Sequence, residues 1–313
     1  MCEVCRTCPT VFGSGPASIV RFHTMRFSMT ILVTGATGTV GRHVVDRLLA
    51  AGRPVRALTR NPQTAGLPEG VDVVQGDLNR PGDLSFDGVR GVYLVPGIFD
   101  PEHATDLAED LVGRAVAAGV GRIVSLTSSG VTTGRAGFYE VLHAVEQVVE
   151  KSGAAWTHVR PGEFAINKLD FWGESIRTEG VVRNAYPDGV GVPIHEADIA
   201  EVAAIALLRD GHAGRAYDLT GPEALTHRQQ AEAIGTGLGR TIAFEGLTYG
   251  RARRAYIEAG LPMEIAEFIL GYQAEYAEEP PSVSPTFEQL TGRKGRTLAQ
   301  WATDHAAELA PTA

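Results

Sequence analysis

Beyond Cys8 the 313-residue chain contains no cysteine. Cys2, Cys5 and Cys8 are the only three, so no disulfide framework supports the remainder. Their spacing resembles part of an iron–sulfur or zinc set, but a fourth thiolate is missing and no metal is expected. No apolar run approaches the ~18 residues that span a bilayer. The stretch before Met29 also has no apolar core of a secretion signal. Positive charge is not in excess: 28 Lys and Arg against 37 Asp and Glu leave a net −9, which disfavours nucleic acid and anionic membranes as partners. Aromatic residues are sparse at 7%, yet a hydrophobic content of 44% supplies a sizeable core. The expectation is a soluble, cytoplasmic protein whose residues 1–28, without periodicity, form a disordered leader.

What is present begins with the apolar run Ile31-Leu32-Val33, followed by Thr34-Gly35-Ala36-Thr37-Gly38-Thr39-Val40-Gly41. A short buried strand delivers the backbone into a glycine-rich turn, and an amphipathic helix leaves it. Val40, Val44, Val45, Leu48 and Leu49 form that helix's apolar stripe, and Gly52 ends it. Gly35 suits the tight turn, Gly38 lets the backbone approach a pyrophosphate, and Gly41 allows helix and strand to touch. The unpaired amides and partial positive charge of the helix N-terminus favour phosphates. Gly35, Thr37, Gly38, Thr39 and Val40 are therefore candidate dinucleotide contacts.

A second strand, residues 54–59, ends without the carboxylate that would hold a ribose 2′-hydroxyl. Arg60 stands there instead. A guanidinium grips a 2′-phosphate through paired charge-assisted hydrogen bonds. The expected cofactor is NADP(H).

Strand and helix patterns go on alternating. Residues 71–75, 91–95, 122–127 and 156–160 read as further strands, with helices over 102–118 and 137–152. Such alternation implies right-handed crossovers and an α/β fold, a Rossmann-type doubly wound parallel sheet with ligands at the carboxyl ends of its strands. Residues 29–162 are read as the NAD(P)-binding core. Beyond Pro161 the rhythm loosens into a helix over 198–208, a strand over 216–219 and a terminal helix over 298–309. Thr226 with Gln229 makes a capping box for another helix. Residues 163–313 are read as a smaller α/β C-terminal substrate lobe with segments returning to the core.

Several stretches together resemble the atypical short-chain dehydrogenase/reductases, specifically the NmrA-like branch of NAD(P)H-binding reductases and redox sensors. They are Ile31 to Gly38, Leu58-Thr59-Arg60-Asn61-Pro62, Gln75-Gly76-Asp77-Leu78, and Ser152 to Gly162 continued by Phe164 and Asn167. Leu219-Thr220-Gly221-Pro222-Glu223 and Leu290-Thr291-Gly292-Arg293 extend the likeness toward the C-terminus. By this resemblance Asp77 would bond the adenine amino group, with Leu78 beside the ring. Pro96 and Gly97 would border ribose and pyrophosphate, and Pro161 and Gly162 the nicotinamide end. Asp77 as a plain turn cap stays open.

Short-chain dehydrogenases in general use a Ser near the end of the fifth strand and a Tyr-x-x-x-Lys on the next helix, whereas in the branch this chain resembles the Tyr position is often not a tyrosine. Ser128 follows the fifth strand and Tyr139 lies on the helix, but His143 holds the lysine position. Residues four apart share a helix face, so Tyr139 and His143 are expected to point together, with Glu146 and Glu150 continuing that face. His143 then either replaces lysine as a ribose donor or is itself the general acid or base, given a reference pKa of about 6.5. A purely structural role for the pair is equally open. Phe164, Phe171, Trp172, Tyr249, Phe268 and Tyr272 either stack on a flat substrate or pack in the core. Arg251, Arg253 and Arg254 read as a solvated helix face, and His195, Glu196 and Asp198 as a helix entry.

The leading expectation is an NADP(H)-dependent oxidoreductase passing hydride to a small apolar or aromatic carbonyl or quinone-like substrate. The missing lysine favours an alternative, a non-catalytic NADP(H) redox sensor regulating a partner protein. A redox-neutral isomerase, lyase or cyclase on the same fold is the third reading. Assembly as a homodimer is left open.

Overall fold

The alternating runs condense into seven parallel strands with helices on both faces. The structure is a computed structural model that describes residues 29–311. The expected leader, with Cys2, Cys5 and Cys8, lies outside the described residues. The core runs β1 (Thr30–Val33), α1 (Thr39–Ala50), β2 (Val55–Thr59), β3 (Asp72–Gln75), β4 (Val89–Leu94), α2 (Ala104–Ala117), β5 (Arg122–Leu126), α3 (Ser129–Thr132), α4 (Phe138–Lys151) and β6 (Ala155–Pro161). There follow α5 (Lys168–Glu179), β7 (Val181–Asn184), β8 (Val190–Gly191), α6 (Glu196–Leu208), β9 (Arg215–Leu219), β10 (Leu225–Thr226) and α7 (His227–Leu238). The chain closes with β11 (Ala243–Gly246), α8 (Tyr249–Glu258), α9 (Met263–Glu278), α10 (Thr286–Thr291) and α11 (Leu298–Asp304).

The large sheet has the order β3-β2-β1-β4-β5-β6-β9, every neighbouring pair parallel. Strand direction of travel reverses between β1 and β4, which is where such sheets open a crevice for a ligand. Period-two alternation assigns the faces. Ile31, Val33, Tyr93 and Val124 pack with Val44, Val45 and Leu48 of α1 and with α6. Leu32, Val92, Leu94 and Ile123 pack on the opposite side against Leu111 and Val112 of α2 and Val145 and Val149 of α4. Both faces are covered, so the central strands β1 and β4 are apolar at most positions, while the outer strands β3 and β9 carry polar residues.

After β6 the chain leaves the sheet and comes back to it. α6 is buried on almost its whole circumference, consistent with its Ala, Ile, Val and Leu content, and β9 adds the seventh strand. A separate apolar cluster joins Trp172 and Ile176 of α5, Ile234 of α7 and Trp301 of α11. Ala252 and Tyr256 of α8 pack with Ile269 and Leu270 of α9 in another. The terminal helix is shorter than the pattern implied, ending at Asp304. His305 Nε2 lies 2.6 Å from Glu196 Oε1, and the chain beyond it continues in turns. Among the described residues no helix is long and apolar enough to cross a membrane.

Candidate active site

Two cavities lie along the carboxyl ends of β1 to β6. The smaller, about 210 Å³, is lined by Gly35, Thr37, Arg60, Asp77 and Leu78, with Ile98. Gly35 takes left-handed backbone at φ 59°. A Cβ on Gly41 would sit 2.0 Å from the Gly35 carbonyl oxygen, so helix and turn touch only because that side chain is a hydrogen. Gly38 caps α1 without a side-chain bond, and no acidic residue occupies the first turn. The open amides of that turn, including those of Thr39 and Val40, suit a pyrophosphate. These features fit a dinucleotide held by its phosphates. Arg60 is exposed at the cavity's edge. Asp77 Oδ1 accepts the Asn79 amide at 3.0 Å, so one of its oxygens does cap a turn.

Two residues hold this turn in place and carried no separate sequence signal. The Thr34 hydroxyl donates to the Tyr93 carbonyl at 3.0 Å and accepts the Val95 amide at 2.9 Å, bridging the ends of β1 and β4. Arg42 donates from Nε to the Thr37 carbonyl at 3.1 Å and from its two Nη atoms to the carbonyls of Gly66 and Ala65, both at 3.0 Å. It fastens the phosphate turn to the loop after β2.

The single turn Pro96–Ile98 borders both cavities, Ile98 the smaller and Gly97 the larger, which measures about 480 Å³. The two cavities therefore adjoin one another along the strand ends. Pro96, Pro161 and the Val40 side chain are buried and line neither cavity. The larger cavity lies between the ends of β5 and β6, the start of α4, and α9. Ser128, Tyr139, Gly162 and Glu163 line it, and Phe164, Phe171, Phe268 and Tyr272 form its aromatic walls. Of the other aromatics considered, Trp172 belongs to the core and Tyr249 is exposed.

Ser128 caps α3 by accepting the Gly130 amide at 3.2 Å. The Tyr139 ring lies against Gly130, where a Cβ would stand 2.3 Å from its Cδ1. Burial pushes the Tyr139 phenol above its ordinary range, opposed by the Arg135 guanidinium and the Ser128 hydroxyl. The group is thus protonated at neutral pH and suited to donate a proton.

His143 is not brought to this cavity. It is exposed, its Nε2 3.5 Å from the Gln147 side-chain nitrogen. Four residues advance a helix by about 40° past a full turn, and α4 is rolled the other way. Tyr139 consequently shares its side with Leu142 and Glu146 rather than with His143. Nor does Glu146 continue a solvated face. It is wholly buried, accepts Arg160 from Nε at 3.0 Å and Nη2 at 2.5 Å, and accepts the Thr127 hydroxyl at 2.5 Å. Arg160 Nη1 also donates to the Thr132 hydroxyl, which donates to Asp218 at 2.7 Å. This chain of bonds pins α3, and with it Ser128, to β6 and β9.

A lysine does reach the neighbourhood, from α5. Lys168 Nζ lies 2.6 Å from Glu163 Oε1 and 4.6 Å above the Trp172 ring, and is itself buried. Pairing with Glu163 leaves a near-neutral cavity. Arg135 likewise bonds both oxygens of Glu275, at 2.7 and 2.8 Å.

A phosphate-binding turn at the switch point of a parallel sheet, adjoining an aromatic-walled cavity, defines a dinucleotide-dependent protein of Rossmann type. Residues 35–210 match the family described as NAD(P)H-binding, and the chain belongs to that family. Its fold is shared with NmrA-like and atypical short-chain dehydrogenase/reductase structures, including NmrA in complex with NADP (18% identity, TM-score 0.64). The chain is 40% identical over 287 residues to a (4-alkanoyl-5-oxo-2,5-dihydrofuran-3-yl)methyl phosphate reductase of Streptomyces griseus, covering 90% of this chain and 99% of that protein. It is 34% identical to an NAD(P)H azoreductase of Xenophilus azovorans, covering 88% and 98% respectively. An NADPH-dependent quinone oxidoreductase of Escherichia coli solved with NADPH superposes with TM-score 0.74 at 26% identity, over 88% of this chain and 99% of that one. This protein is accordingly an NAD(P)H-binding oxidoreductase.

Proposed function

We propose that the protein uses NADPH to reduce a conjugated cyclic carbonyl compound of quinone or enone type, with Tyr139 as the proton donor. The observation that carries this reading is the placement of the Tyr139 phenol, beside Ser128, in an aromatic-walled cavity that adjoins the nucleotide groove at Pro96–Ile98. When bound, the nicotinamide supplies a hydride. The protein's own groups do the rest. Phe164, Phe171 and Tyr272 offer ring faces on which a flat acceptor stacks. Tyr139 gives its proton to the acceptor oxygen as negative charge grows there, and the Ser128 hydroxyl orients that oxygen. Relatives support the reading: one is named for an oxo-dihydrofuran, whose ring double bond is conjugated with its oxo group, and another for quinones.

The direct test is NADPH consumption with a panel of quinones and cyclic enones, followed by product mass. Reduction adds two hydrogens to the product. Bound nucleotide with every acceptor untouched would overturn the proposal in favour of a sensor, and product of unchanged mass would favour redox-neutral chemistry. Because burial holds the Tyr139 phenol neutral to above its usual range, kcat should be level from about pH 6 through the ordinary tyrosine region near 10 and fall only above it. A decline centred near 6.5 would instead implicate a histidine.

Arg60 supplies the contact to the 2′-phosphate in this reading. Arg60→Glu should weaken NADPH by about 1–3 kcal/mol, measured calorimetrically, with NADH little changed. Equal losses for both nucleotides would remove Arg60 from that role. His143→Ala should alter kcat/KM by less than about twofold, as for other surface substitutions. A large loss of turnover would return His143 to the site.

A further inference from the structure

We propose that the substrate carries an extended, uncharged apolar chain, and that this chain leaves the cavity through a groove between Phe138 and the Ile265–Phe268 turn of α9. The inference rests on the reading of the cavity as the acceptor site and adds to it what the acceptor must carry.

α9 has two apolar sides. One, with Ala266, Ile269 and Leu270, packs against α8. The other runs Ile265, Phe268, Tyr272 and Tyr276, spaced three and four residues apart, and faces the cavity. Its inner members are half-buried, but Phe268 is 42% and Ile265 47% exposed. The opposite bank mirrors it. Tyr139 sits inside, and the adjoining Phe138 is 52% exposed at the mouth. The ring of Tyr139 lies 6.0 Å from Phe268 and 6.2 Å from Phe138, so the aromatic lining continues outward without a break.

Charge is kept off this path. Glu267, between the two exposed apolar residues of α9, pairs with Arg253 of α8 at 2.9 Å. Exposed apolar side chains on both banks of a cavity mark a surface that a ligand covers. A bare ring at Tyr139 would leave them in water. A flexible hydrocarbon chain attached to that ring would cover them, and among the described residues the cations beside the path, Arg135 and Arg253, are both paired with glutamates, which selects against an anionic tail.

The test uses 2-alkyl-1,4-benzoquinones from methyl to octyl and the full-length protein with NADP+ bound. Affinity is read by quenching of intrinsic fluorescence, which does not depend on turnover. Each added methylene should tighten binding about two- to threefold, less than full burial would give because the groove is open to water. Ile265→Ser and Phe268→Ser should each remove about tenfold of the gain between methyl and octyl. Met263→Ser, exposed on the same helix but outside the cavity lining, should keep the gain intact. Affinity independent of chain length, or a gain unaltered in both groove variants, overturns the inference. So does a concentration-dependent dimer that Ile265→Ser dissolves, since a second copy would then be what covers the groove. If the methyl compound binds and is never reduced, the reductase proposal fails while the chain-length series still reports on the groove.

Discussion

Tyr139→Phe is expected to lower kcat by about 10²- to 10⁴-fold, the usual worth of a positioned proton donor. Nucleotide affinity should be unchanged, since Tyr139 lines the larger cavity and none of the phosphate-binding turn. The phenyl ring still fills the space against Gly130, so the fold is preserved and the loss reports on the hydroxyl alone. Stopped-flow with a reactive quinone measures it. If the acceptor gains its proton from water instead, the variant will turn over at the parental rate. Gly130→Ala is the complementary change, because its Cβ would occupy the ring's position and displace the hydroxyl while leaving it chemically intact. It should damage kcat comparably, as a misplaced group of about 1 Å costs up to 10²-fold.

The largest effect on stability is expected from Glu146→Ala. Its carboxylate is buried, holds Arg160 by two bonds and receives the Thr127 hydroxyl. Removing one member of a buried pair strands the other charge, at a cost of about 3–5 kcal/mol. For a chain of this length that lowers Tm by on the order of 10 °C. Exchanging both partners for apolar residues, Glu146→Leu with Arg160→Met, should recover much of the loss, because no charge is then left unpaired. Calorimetry of the three proteins decides the matter. A single variant with unchanged Tm would mean that Arg160 finds water or Asp218 at no cost. Loss of the pair also frees Thr132, so Ser128 should become less well positioned even where the protein remains folded.

Local pattern carried most of the fold and half of the site. Ile31-Leu32-Val33 with the glycine turn located β1, α1 and the phosphate site, because strand, turn and helix N-terminus are adjacent in the chain and each has its own residue requirement. Arg60, Asp77 and Leu78 were legible for the same reason: they follow strand ends, and a parallel sheet gathers all its strand ends on one edge. Ser128 and Tyr139, the candidate catalytic pair, both line the larger cavity.

The misreading of α4 shows where pattern stops. Spacings of three and four residues put Tyr139, His143 and Glu146 together on one face. In the structure Glu146 is interior, since Arg160 from β6 and Thr127 just after β5 meet its charge there. That partnership rotates α4 so that Tyr139 enters the cavity and His143 meets water. The second stripe of α9 and the Glu163–Lys168 pair were hidden in the same manner. Periodicity and turn chemistry are properties of neighbouring residues, so the parallel doubly wound sheet, the glycine turn and the cofactor class could be read directly from the chain. Which side of a helix faces inward depends on partners dozens of residues away that neutralise its charges or cover its apolar atoms, and those meet only once the chain has folded.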